Sequence, residues 1–101
     1  MTLDQLKYFE TAANTLHIGK AAQLLNISQP SLSISIKKLE AELEVPLFQS
    51  EGRGIALTSY GRELLPYARS ILQQTEAVKK HLKKEADKLN MEIHFAYTAS
   101  I

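Results

Sequence analysis

The first half of the chain repeats its apolar positions with the period of amphipathic helices. Leu6, Phe9, Ala13 and Leu16 recur at helical spacing, and Thr2 with Gln5 three residues on forms a capping box. A helix is therefore predicted from about Leu3 to Thr15, with those four residues toward a core. A short second helix, roughly Gly19 to Leu25, buries Ile18, Ala21, Ala22 and Leu25; its paired alanines suit the close approach of a neighbouring helix. A turn follows at Asn26-Ile27. The third helix starts near Ser28 to Pro30, with Ser28 as N-cap and the proline in the first turn, where its missing N–H had no intrahelical partner. Leu32, Ile36, Leu39 and Leu43 form its apolar stripe, and the opposite face carries Pro30, Ser33, Ile34 and Lys37. Val45 precedes Pro46 and is biased away from helical geometry, which ends the helix there.

Two short apolar segments, Leu47-Phe48 and Ile55-Ala56-Leu57, flank the polar stretch Gln49–Gly54 and predict a small hairpin. Thr58 or Ser59 then caps a long helix reaching about Leu89. Within it Leu64, Ala68, Ile71, Thr75, Val78, Leu82, Glu85 and Leu89 step by four and three, the seam of a helix pair, with Glu85 the polar interruption. Pro66 lies inside this helix and is expected to bend it. The segment Ile93–Tyr97 alternates like a strand, and a single strand is not stable alone. It is read as the opening of a further domain. The expected fold class is all-α with a small β wing: a winged helix-turn-helix over 1–58, a linker and dimerisation helix over 59–89, and at 90–101 the start of a truncated domain.

Composition narrows the classes. The chain has 101 residues, 45% hydrophobic and 23% charged, as expected of one small folded domain with an appendage. With no cysteine, disulfides and cysteine-based zinc sites are ruled out, and a reducing cytoplasm is compatible. No basic segment followed by an apolar run opens the chain, and no run of apolar residues is long enough to span a bilayer. The formal net charge is only +1, so any attraction to a polyanion must come from local clusters. Acids gather at Glu40, Glu42 and Glu44, and bases at Lys37-Lys38 and from Lys79 to Lys88. The lysines of that last run are expected to form a solvated helix side.

A short helix, a turn and a third helix make a helix-turn-helix, in which the second helix of the pair enters the major groove with its N-terminal residues at base edges. Gln29 can donate to and accept from an adenine edge, Ser31 and Ser33 can bond bases or phosphates, and Lys37 can neutralise a phosphate. Ile34 is out of place on this polar face; a thymine methyl is one natural partner, a subunit contact another. Arg53 stands between two glycines at the hairpin tip, where arginine suits a phosphate or a narrow minor groove. Taken singly, Gln29 and Ser33 read equally well as solvated helix residues.

The order of these features resembles the LysR-type transcriptional regulators. The resemblance is carried by Leu3-x-x-Leu6-x-x-Phe9, Ala21-Ala22-x-x-Leu25-x-x-Ser28-Gln29-Pro30-Ser31-Leu32-Ser33, Ile36-x-x-Leu39-Glu40-x-x-Leu43, Leu47-Phe48, Arg53 and Leu57-Thr58-x-x-Gly61. It covers residues 1 to about 90 and extends into Ile93–Ser100 as the first strand and turn of an effector-binding domain. It implies a cytoplasmic regulator that binds an interrupted inverted repeat in double-stranded DNA as a homodimer, commonly within a tetramer. It also implies a small-molecule effector held by a C-terminal domain missing here. Readout falls by this resemblance on Gln29, Pro30, Ser31, Ser33, Ile34, Lys37 and Arg53, while the seam spacing puts pairing on Leu64, Ala68, Ile71, Thr75, Val78 and Leu82. The chain departs from the family pattern at Gly19, where threonine is usual, at Ile34-Ser35, where a polar residue and glutamine are usual, near Glu44-Val45, where glycine is usual, and at Ser50, where arginine is usual.

Other classes fare worse. A winged-helix module that binds protein without reading DNA is the runner-up, suited by the near-neutral charge and by Ile34. His17, His81 and His94 are scattered with no acid or cysteine at ligand spacing, so no metal or other cofactor is expected. Gly52-Arg53-Gly54 lacks the Lys-Ser/Thr of a phosphate loop, and no catalytic constellation is recognisable, so no enzymatic activity is expected.

Overall fold

The structure is a computed structural model that describes the backbone of residues 1–99 and the side chains of residues 1–91. Helix α1 spans Leu3–Thr15. Its capping box is formed: the Gln5 N–H donates to Thr2 Oγ1 at 3.0 Å and the Thr2 N–H to Gln5 Oε1 at 2.9 Å. Leu6, Phe9, Ala12 and Ala13 are buried. Leu16, expected in the core, is instead the C-cap of α1 with a left-handed φ of 52° and is 42% exposed. The helix ends before it, and the reversed backbone turns its side chain off the buried face.

Helix α2 spans Ile18–Leu25 and is capped by His17, whose Nδ1 accepts from the Lys20 N–H at 3.0 Å. Asn26 ends it in the left-handed region. Helix α3 spans Gln29–Leu43; Ser28 Oγ accepts from the Ser31 N–H at 3.2 Å, and Pro30 sits in the first turn. Glu44 closes α3 with φ 59°, at the place where the family pattern favours glycine. Ala12, Ala21, Ala22, Leu32 and Ile36 form one buried cluster that joins the first three helices. The alanines let α1 and α2 approach closely.

Strands β1 (Phe48–Glu51) and β2 (Gly54–Leu57) pair antiparallel, from Phe48 opposite Leu57 to Glu51 opposite Gly54. The tip is thus only Gly52-Arg53, shorter than the six polar residues between the apolar segments. Gln49, Ser50 and Glu51 are exposed, and exposed strand positions need no apolar side chain to keep their ladder. Gly52 takes φ +58°, which glycine adopts without steric penalty. Phe48 meets Phe9 at 5.5 Å between ring centroids and touches both hydrophobic clusters, fastening the wing to the helices.

Helix α4 runs from Ser59 to Ala99 and continues through Pro66. At ~1.5 Å per residue it is about 60 Å long, and the molecule measures 72 × 25 × 19 Å. Thr58 caps it: Oγ1 accepts from the Gly61 N–H at 3.1 Å and donates to the Pro46 carbonyl. A Cβ on Gly61 would collide with the carbonyl oxygen of Leu47, which explains the glycine at this close crossing. Leu6, Phe9, Leu39, Leu47 and Ala68 make the second buried cluster, with Leu64, Leu65 and Leu72 packed on it. Arg69 ties α4 to α1 through a 2.7 Å bond to Asn14 Oδ1.

Two expectations about α4 are corrected. Ile93–Tyr97 is helical rather than extended. The one sheet among the described residues is the hairpin, and a helix satisfies its own backbone bonds where a lone strand cannot. The rest of that expected segment, residues 100–101, lies outside the described residues. Ala68, expected at a helix-pair seam, has no exposed surface, and Leu64 is half-buried against the same cluster. The start of α4 spends these residues on its own domain.

Candidate nucleic-acid interface

The face of α3 opposite Leu32, Ile36 and Leu39 is open. Gln29, Pro30, Ser31, Ile34 and Lys37 are exposed and Ser33 is half-buried. The cap by Ser28 fixes how the helix starts, and therefore where Gln29 and Ser31 project. At the wing tip Arg53 is exposed, and no hydrogen bond or ion pair holds its guanidinium among the described residues.

Folding brings these residues onto one surface. Gln29 and Arg53 line the same cleft, with His17 and Gly19 from the start of α2. Ser33 and Lys37 line an adjoining groove against Gln49 and Ser50 of β1. Ile18 and Ile55 border both. Pro30, Ser31 and Ile34 line neither cleft and occupy the outer side of α3.

Sequence reasoning missed five contributors to this surface. His17 and Gly19 shape the Gln29 cleft: a Cβ on Gly19 would lie 3.0 Å from His17 Cε1 and 3.1 Å from Gln29 Nε2. The departure from threonine at this position leaves room for the glutamine amide. Gln49 and Ser50 belong to a strand rather than to the loop where they were expected. Glu40 has a different role from that of a solvated acid. Its Oε2 accepts from the Leu47 N–H at 2.7 Å and the Phe48 N–H at 3.4 Å, so it holds the root of the wing against α3. The negative charge beside Lys37 is thereby turned onto backbone donors. An acid facing backbone one and two residues past Pro46 was the available signal.

Along α4 the exposed large apolar residues are Tyr60, Tyr67, Ile71, Val78, Leu82, Leu89 and Met91, and all but Met91 follow one another at intervals of seven and four. This stripe keeps Ile71, Val78 and Leu82 of the expected seam and replaces Leu64 and Ala68 by the two tyrosines. Thr75 is half-buried and its hydroxyl donates to the Ile71 carbonyl at 2.9 Å. No helix among the described residues is long and apolar enough to cross a membrane.

Three helices, a two-stranded wing and a projecting helix define a winged helix-turn-helix domain. Residues 3–62 match the model of the bacterial regulatory helix-turn-helix proteins of the lysR family. The chain is 45% identical over 74 residues to the uncharacterized HTH-type transcriptional regulator YybE of Bacillus subtilis, covering 73% of this chain and 25% of YybE. It is 38% identical over 100 residues to the regulator BudR of Klebsiella aerogenes, covering 99% of this chain and 70% of BudR. The solved DNA complex of CbnR_DBD superposes with a TM-score of 0.81 at 36% identity, over 85% of this chain and 99% of that one. The chain belongs to the LysR family of helix-turn-helix regulators. It spans about a quarter of the length of relatives such as YybE.

Proposed function

We propose that this chain is the operator-reading and pairing part of a LysR-type transcription regulator. Helix α3 enters the major groove of duplex DNA, with Gln29, Ser31 and Ser33 at base edges, Pro30 and Ile34 packed beside them, and Lys37 on a phosphate. The wing follows the backbone or minor groove through Arg53. The observation that carries this reading is the shared cleft of Gln29 and Arg53: the start of the groove-entering helix and the wing cation sit on one surface, as one duplex requires. The likeness to a domain solved in complex with DNA supports it.

Pairing is assigned to the outer stripe of α4 at Tyr67, Ile71, Val78, Leu82 and Leu89, whose spacing suits a helix pair. A homodimer joined this way presents two recognition helices to an interrupted inverted repeat, and tetramers belong to the whole regulator. By this reading residues 1–58 recognise DNA, 59–89 pair, and 90–101 lead toward effector-binding sequence. The whole regulator acts in the cytoplasm, and no catalytic role is assigned to the chain. Selection of duplexes from a random pool by the purified chain tests this. Two inverted half-sites separated by a spacer are expected; recovery of no common sequence contradicts it.

A further inference from the structure

Pro30 and Ile34 are one turn apart on α3 and both are exposed, Ile34 by 55%. Side chains four residues apart on a helix are neighbours, so the pair makes a short apolar ledge. Its surroundings are small or charged: Ser31, Ser33 and Ser35 along the helix, Lys37 and Lys38 one turn on. The buried stripe of Leu32, Ile36 and Leu39 faces the other way and cannot shelter it. The ledge therefore sits bare within an otherwise polar reading face.

We infer that this ledge recognises the C5-methyl group of a pyrimidine in the major groove, in thymine or in 5-methylcytosine. The inference rests on the proposal that α3 reads DNA and goes further by naming the group read. Base edges in the major groove present donors, acceptors and one kind of apolar group, the pyrimidine C5-methyl. A donor or acceptor placed against Ile34 would lose its water and gain no partner. A methyl group there removes apolar surface from water on both sides. Because 5-methylcytosine offers the same methyl without changing its base pairing, the affinity of this chain responds to cytosine methylation at that step.

The test uses duplexes recovered from a random pool by the chain, with each thymine replaced in turn by deoxyuridine, which removes only the methyl. One replacement is expected to weaken binding about fourfold, the equilibrium factor for burying one methyl-sized group. At the same base step, a C·G duplex should bind more tightly once its cytosine is methylated at C5. Both responses should vanish in Ile34→Ala, whose helical signal and melting temperature confirm that the exposed position leaves the fold intact. Selective binding with no response to any deoxyuridine, or a response that persists in Ile34→Ala, overturns the inference while leaving DNA reading in place. Failure to prefer any duplex overturns the DNA reading itself, and this inference with it.

Discussion

The Glu40 carboxylate accepts a 2.7 Å hydrogen bond from the Leu47 N–H, linking the last turns of the recognition helix to the root of the wing. Losing that acceptor leaves a part-buried backbone donor unpaired. Glu40→Ala is expected to lower unfolding stability by ~1–2 kcal/mol, and Glu40→Gln, which retains an acceptor oxygen, by less. Urea denaturation of the two variants checks this; an Ala variant as stable as the parent contradicts it.

Glu44 holds φ 59° at the end of α3, where a side chain strains the backbone and glycine does not. Glu44→Gly is expected to raise stability by about 1 kcal/mol, after the larger unfolded-state entropy of glycine is taken into account. A lower melting midpoint would show that the Glu44 side chain has a favourable contact exceeding its strain.

How much of this was readable from sequence follows the same physics. The capping box at Thr2, the N-cap at Ser28 and the stripe of Leu32, Ile36 and Leu39 were legible because local chemistry and periodicity agreed. The reading face of α3 followed from that stripe. Glu40, Gly19 and Gly61 were opaque, since their roles depend on backbone that arrives from elsewhere in the chain. The seam of α4 was misplaced at Ala68, which has no exposed surface, because a heptad pattern does not say which apolar residues the protomer's own core has already taken.

Gln29, Gly19 and Arg53 share one cleft but are expected to fail in different ways. Gln29→Ala relaxes preference at one base step, at ~1–3 kcal/mol. Gly19→Ala displaces the Gln29 amide and should shift preference at that same step, with no further effect in a Gln29→Ala background. Arg53→Ala weakens binding evenly across sequences and lowers the salt slope by about one. Quantitative selection with each variant separates these outcomes; identical profiles for Gln29→Ala and Arg53→Ala would contradict the division between base and backbone contacts.

Exposure divides α4 into a half bound to its own domain and a half free to pair. Val78→Asp, at a position 51% exposed, is expected to give a folded monomer by sedimentation. Ala68→Asp, at a position with no exposed surface, is expected to unfold the domain by several kcal/mol instead. A dimer that survives Val78→Asp combined with Leu82→Asp places the interface elsewhere.

The central claim is that the outer face of α3 and the wing meet double-stranded DNA. Its most direct test is a fluorescence anisotropy titration of the chain on a duplex selected from a random pool and on a scrambled duplex, repeated at rising salt. The account predicts tighter binding to the selected duplex and a linear fall of log affinity with log salt, as released counterions require. Equal affinity for the two duplexes, or affinity indifferent to salt, would contradict it.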